Sequence, residues 1–239
     1  MKKFMTAMMV ASLLGGTVTA AKAGGVSIDA TRIIYPADRH AATASLRNSS
    51  KETVYLMQVA VSTAPERKKA APFVVTPPLF RMEPGSQNQV RIIKTGQALP
   101  TDRESLFWFT AKAIPLSHES DKHSRQSVSG GIQFALAHTI KLMYRPSGLP
   151  VSSEQGFGSL RFKPTAEGIT VTNPSPYYIT FASLKIGGQE LMTKQQKENM
   201  VSPFSALSFP LKGAHYPAKV SWTVINDLGG SSSYQGEIP

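Results

Sequence analysis

The sequence predicts an all-β protein of two units, the first an immunoglobulin-like β-sandwich and the second a smaller β-sandwich or barrel. Three observations carry that expectation. Segments rich in Val, Ile, Thr and aromatic residues recur at short intervals, with Gly, Pro, Asn and Ser between them. No segment keeps a helical period over a useful length. Pro146-Ser-Gly-Leu-Pro150 places two prolines and a glycine between two β-rich regions, which marks a linker.

Residues 1–23 stand apart from this pattern. Lys2 and Lys3 form a positive end, Phe4 to Leu14 is a short apolar run, and Ala21-Lys22-Ala23 offers a small-x-small cleavage site. The expectation is a secretory signal cut after Ala23, followed by an exported chain. The apolar run is too short to span a bilayer, so no membrane insertion is expected.

The first unit is expected over 24–146. Its strands are predicted at Val26–Tyr35, Thr43–Arg47, Thr53–Ser62, Leu79–Met82, Gln89–Lys94, Ser105–Ile114 and Gly131–Tyr144. Seven strands with turn signals fit a sandwich, and the lack of a Cys…Trp…Cys framework excludes an antibody-like domain. Thr76-Pro77-Pro78 forces an edge or a bend before Leu79, because proline cannot donate to a ladder. The second unit is expected over 151–239, with strands at Leu160–Phe162, Ile169–Thr172, Tyr177–Leu184, Phe204–Phe209 and Ala218–Asn226. Glu190–Met200 is read as a short helix or a loop, and Gly229–Ser233 as a turn.

The segment Gly130–Pro146 is the most informative. Ile132, Phe134 and Leu136 are large and apolar, while Gln133, Ala135 and Ala137 between them are small or polar. That period of two gives a strand with one apolar face. The run continues through Ile140, Lys141, Leu142 and Met143 to Arg145, longer than an average strand and interrupted by a lysine. Such a face needs a partner, and the partner need not be the protein's own core.

Composition removes several classes of function. The chain of 239 residues has no cysteine, which excludes thiol catalysis, thiolate metal sites and disulfide stabilisation. Without Lys2, Lys3 and Lys22, 23 basic residues face 15 acidic ones, a net charge of +8. An exported protein seldom meets nucleic acid, so that charge points to solubility or to steering toward carboxylates. The five histidines, His40, His118, His123, His138 and His215, lack metal-ligand spacing. No phosphate loop, nucleophile elbow or zincin motif is present. No catalytic residue, metal or cofactor is expected.

Two sets of charged residues are candidates for a site. Glu104, Arg145 and Asp227 all fall at predicted strand ends, and one guanidinium can bridge two carboxylates. The residues alone fit ordinary exposed charges better. Arg32 and Lys141 lie inside apolar strands, where a lone charge is costly. They either snorkel to solvent, the plainer reading, or reach a common cleft and hold an anion.

Five motifs then fall in order: TPPLFR at 76–81, LPTDRESLFWF at 99–109, IKLMYRP at 140–146, NPSPYYIT at 173–180 and IND-x-GG at 225–230. Together, behind a signal-like segment, they resemble the PapD-like pilus chaperones of the chaperone–usher pathway, over nearly the whole mature chain. The resemblance implies a boomerang of two Ig-like domains in the periplasm. It implies binding of fimbrial subunits by donor-strand complementation, a known mode of strand addition, and delivery to an outer-membrane usher. By position it assigns Ile132, Phe134 and Leu136, preceded by Val128, to the groove of the subunit. It assigns Arg32 and Lys141 to the C-terminal carboxylate of the subunit, and Glu104, Arg145 and Asp227 to an interdomain salt bridge. Gly130 leaves one groove pocket poorly filled. The 116–129 loop is longer than in the family's short-loop branch and lacks the long-loop cysteine pair, which leaves the branch open. The competing expectation is a structural or adhesive β-sandwich of a fimbria or cell surface.

Overall fold

The structure, a computed structural model, describes residues 24–66, 69–96, 98–116, 134–192, 198–211, 213 and 215–239. Among the described residues the first part of the chain forms nine strands. They are β1 (Val26–Ile28), β2 (Arg32–Pro36), β3 (Ala42–Asn48), β4 (Tyr55–Ser62), β5 (Phe73–Thr76), β6 (Leu79–Met82), β7 (Gln87–Lys94), β8 (Ser105–Pro115) and β9 (Leu136–Arg145). One sheet has the order β1-β3-β7-β5, the other β2-β9-β8-β4-β6. Alternation puts one face of each strand inside. Met57, Val59 and Val61 of β4, Val90 and Ile92 of β7, and Phe107, Phe109 and Ala111 of β8 share one buried cluster. Tyr35 joins it with its ring 5.6 Å from Phe73 and 5.8 Å from Tyr144.

The second part contains α1 (Ser153–Gly158), β10 (Arg161–Thr165), β11 (Gly168–Thr172), β12 (Ile179–Ile186), β13 (Gln189–Glu190), β14 (Met200–Val201), β15 (Ala206–Pro210), β16 (Ala218–Ile225) and β17 (Ser231–Ile238). Its sheets run β10-β11-β15 and β13-β12-β16-β17, with β14 also on β12. Their inner faces form a second, separate core around Phe181, Phe209, Val224 and Trp222. Trp222 stacks on Tyr234 at 5.7 Å and donates its indole N–H to the Phe157 carbonyl at 3.0 Å, so its one polar group is satisfied in the core.

Several sequence expectations change. Val26–Tyr35 is not one strand. It breaks at 29–31, where the chain leaves the β1–β3 pair and joins β9 in the opposite sheet. Hydrophobic alternation does not show that break, because each side keeps its own buried residues, Val26 before it and Ile33 and Tyr35 after it. Phe73–Thr76 is a further short strand that the sequence pattern does not mark, and its Val74 is exposed. Glu190–Met200 holds no described helix, and its described ends lie in the two-residue strands β13 and β14. Gly229–Ser233 is only partly a turn, since Ser231 opens β17, which pairs with β16 for eight residues. Short α1 escapes the periodicity test but is capped: the Ser152 hydroxyl accepts from the Gln155 amide and the Gln155 side chain accepts from the Ser152 amide. Thr76–Pro77 and Tyr216–Pro217 are cis.

The two units organise one loop in the same way. Asn48 is fully buried, and its amide nitrogen donates to the carbonyls of Thr53 at 2.9 Å, Met82 at 3.3 Å and Glu83 at 3.0 Å. Its oxygen accepts from the Ser50 amide at 3.0 Å. Asn173 repeats the device, donating to Tyr177 at 2.7 Å and Ser202 at 3.0 Å while accepting from the Ser175 amide at 3.0 Å. Both belong to Asn-x-Ser triplets, the one local signal the sequence offers for this loop. Asn48→Ala leaves several buried backbone groups without partners, and we expect a loss of about 2–4 kcal/mol in urea unfolding. A loss below about 1 kcal/mol would show that water replaces the amide.

Candidate functional site

β9 changes character along its length. It pairs antiparallel with β8 from Leu136 to Tyr144, but parallel with β2 only from Lys141 to Arg145. Among the described residues it therefore has a neighbour on one side only over 136–140, and its other edge presents backbone groups without a strand partner there. Leu136, His138 and Ile140 lie on one face by alternation, and Leu142 continues that row into the buried core. Phe134, just before the strand, is 80% exposed and Leu136 is 51% exposed. These are large apolar side chains left in water at an open sheet edge. Val128 and Ile132 lie outside the described residues, as do His118 and His123.

β2 begins to cover β9 at Lys141, and Arg32 sits directly opposite it in the register. Both side chains reach toward the second unit. Arg32 is only 7% exposed; its Nη1 donates to the Ile225 carbonyl at 2.8 Å, while its buried Nε has no partner among the described residues. Lys141 Nζ donates to Thr180 Oγ1 at 3.0 Å. Burial and then the neighbouring Arg32 charge push the Lys141 ammonium down to about 8. Burial likewise lowers Arg32, opposed by the charges of Asp227 and Glu104. Two partly desolvated cations that face each other in the register have the chemistry to attract an anion.

Four residues beyond Lys141, Arg145 ends the strand. Its Nε donates to Glu104 Oε1 at 2.8 Å, and its Nη1 and Nη2 donate to Asp227 Oδ2 and Oδ1 at 2.6 and 2.7 Å. Glu104 and Arg145 belong to the first unit and Asp227 to the second, so the guanidinium ties the units together. Glu104 is 2% exposed and also accepts from the Tyr178 amide at 2.8 Å. Burial raises its carboxyl above the usual range, against the pull of Arg145. For Asp227 burial also acts upward, but the Arg145 hydrogen bonds and charge outweigh it and hold the carboxyl below its usual value.

Part of this junction lies beyond what the sequence pattern marks. Ser153 Oγ donates to Asp227 Oδ2 at 2.8 Å, and the Arg145 guanidinium lies 4.9 Å from the Tyr177 ring centre. The Glu104 amide donates to the Pro176 carbonyl at 2.9 Å. Arg103 stacks on Phe204 at 4.8 Å, and Phe204 holds a left-handed φ of 52°. Tyr177 and Tyr178 stand in the NPSPYY run, which was their available signal. Ser153 and Phe204 had none.

Removing Arg145 strands a buried carboxylate. We expect Arg145→Ala to cost about 3–5 kcal/mol in urea unfolding. Arg81→Ala, which breaks the exposed Arg81–Glu83 pair, should leave the midpoint within error. Equal effects of the two variants would refute an energetic role for the junction cluster.

Two family models match the chain. Residues 25–150 match "Pili and flagellar-assembly chaperone, PapD N-terminal domain", and residues 155–236 match "Pili assembly chaperone PapD, C-terminal domain". The chain is 36% identical over 232 residues to the "Probable fimbrial chaperone protein ElfD" of Escherichia coli O157:H7, covering 97% of this chain and 94% of that one. It is 38% identical over 206 residues to the "Chaperone protein FocC" of Escherichia coli, covering 86% of each. Among solved structures, a chain of the Salmonella enterica SafA pilin in complex with the SafB chaperone superposes with a TM-score of 0.76 at 34% identity, over 92% of this chain and 99% of that one. The E. coli chaperone DraB superposes with a TM-score of 0.76 at 31% identity, over 90% and 99%. With both halves of the fold matched in order, the chain belongs to the PapD-like family of pili-assembly chaperones.

Proposed function

We propose that this chain is a periplasmic chaperone that captures fimbrial subunits by lending them β9, and hands them to an outer-membrane usher. The observation that carries the reading is the open edge of β9 at 136–140, ending at the Arg32–Lys141 pair. A subunit lacking a strand exposes unpaired backbone groups and apolar core. The free edge supplies the backbone partners. Phe134 and Leu136, together with Ile132 and Val128 on the preceding segment, fill the groove. Each large side chain removed from water contributes about 1.5–3 kcal/mol.

The cation pair supplies the register. The C-terminal carboxylate of the subunit accepts from Lys141 Nζ and the Arg32 guanidinium, with about 1.5–3 kcal/mol per charge-assisted hydrogen bond. A one-residue slip would turn every apolar side chain out of the groove, so a charged end-stop matters more than its energy suggests. The Glu104–Arg145–Asp227 cluster keeps the second unit where Ile225 and Thr180 meet those cations. Release requires no nucleotide, because a better-fitting strand from another subunit displaces the lent one; the role is non-enzymatic.

The same reading takes 1–23 as a signal peptide cleaved after Ala23, 24–146 as the strand-lending domain and 151–239 as the second domain. The two separate buried clusters support that division. Among the described residues no helix is long and apolar enough to cross a membrane. A fimbrial or adhesive role fits less well, since the relatives that cover nearly the full chain are named chaperones.

Two outcomes test the clamp. Lys141→Ala should reduce the yield of fimbrial subunit co-purified from the periplasm by at least about tenfold while the variant keeps its unfolding midpoint, and Lys141→Arg should recover part of the loss. Subunit yield at the wild-type level with Lys141→Ala would refute the role. Capture should also weaken at high pH. A bound carboxylate raises the Lys141 value above its free value of about 8. Affinity is then flat below pH 8 and falls as pH rises past it, since binding must take up a proton. Calorimetry with a peptide matching the last residues of a fimbrial subunit checks this. Unchanged affinity between pH 7 and 9.5 would contradict it.

A further inference from the structure

The parallel β2–β9 ladder has a second cationic feature at its other end. Beyond Pro36, a cavity of about 260 Å³ is lined by Tyr35, Ala37, Arg39, His40, Lys94, Thr95, Gly96 and Tyr144. Arg39, His40 and Lys94 bring three cationic or N–H-donating side chains to it, and among the described residues no carboxylate lines it. Asp38, next to Arg39 in the same turn, is not among the lining residues, and none of the ion pairs found among the described residues uses Arg39.

The walls are held from below. The buried Tyr35 hydroxyl donates to the His40 carbonyl at 3.0 Å and accepts from the Lys94 amide at 3.2 Å, which ties the 37–40 turn to the end of β7. The Arg39 amide donates to the Pro36 carbonyl at 3.1 Å, and the Ala37 amide to the Arg145 carbonyl at 2.8 Å. Lys94 Nζ stands 5.7 Å from the centre of the Tyr144 ring, at the cavity wall. A guanidinium, an ammonium and an imidazole on residues that line one concavity have the chemistry to complement a tetrahedral oxyanion, and a guanidinium offers two parallel donors.

We propose that this cavity is an oxyanion-binding site, which takes phosphate or sulfate either free or as the headgroup of an anionic lipid. It is separate from the carboxylate clamp. Arg32 and Pro36 are four parallel-strand steps apart, about 13 Å. The inference does not depend on the proposed chaperone function.

The test uses the mature chain at constant ionic strength. Titration with inorganic phosphate, followed by amide NMR, should give saturable shifts at His40, Thr95 and Gly96. Arg39→Ala and Lys94→Ala should each weaken binding about tenfold, while Arg47→Ala, an exposed arginine on β3, should not. Sedimentation with phosphatidylglycerol vesicles, against phosphatidylcholine vesicles, distinguishes the carrier. Arg39-dependent retention on the anionic vesicles identifies a lipid headgroup. Phosphate binding without retention identifies the free oxyanion. Absence of saturable shifts with both phosphate and sulfate would overturn the site. So would equal binding by wild type and Arg39→Ala.

Discussion

The point on which this structure turns is Lys141, where, among the described residues, β9 passes from having one neighbouring strand to having two. The cause lies in the crossing at 29–31. The chain runs with β3 up to Ile28 and reappears in the opposite sheet at Arg32. β2 therefore starts too late to cover residues 136–140. An open sheet edge is ordinarily a hazard that proteins blunt with charge, proline or cover. Here the edge keeps exposed Phe134 and Leu136, and the charges stand at its end rather than along it.

One five-residue parallel ladder organises both ends of the junction. Arg32 opposite Lys141 opens it and Pro36 opposite Arg145 closes it. At the first end two cations share a partly desolvated space and, among the described residues, have few acceptors. At the second end a cation is surrounded by acceptors: Glu104, Asp227 and the Tyr177 ring. The contrast separates the roles. The satisfied cluster bridges the two units, and losing its guanidinium would leave a buried carboxylate unpaired. In the proposed function the less satisfied pair is the one that binds.

Much of the architecture was legible because it rests on short-range patterns. Alternation in β4, β7 and β8 and turn residues between strands are local signals, and they placed most strands within two residues of their ends. The site was legible less directly. Spacing alone favoured ordinary surface charges for Glu104, Arg145 and Asp227, since sequence separations of 41 and 82 residues carry no geometry. The motif resemblance gave those positions their significance. What stayed hidden required three-dimensional information: the sheet switch at 29–31, the reach of Ser153 to Asp227, the left-handed Phe204 against Arg103, and the Tyr35 hydroxyl joining two distant loops. Short elements such as α1 and β13 also fall below the length at which periodicity is informative.

The central claim is that residues 136–140 gain a strand neighbour when a fimbrial subunit binds. Amide hydrogen exchange of the β9 groups facing away from β8 measures this directly, with β17, an edge strand in the second unit, as the internal reference. Protection of those β9 amides should rise by at least about a hundredfold once the subunit is bound, as expected for exposed groups entering a sheet ladder, while β17 stays unchanged. Exchange in β9 that is equally fast in the free and the bound protein would contradict the account.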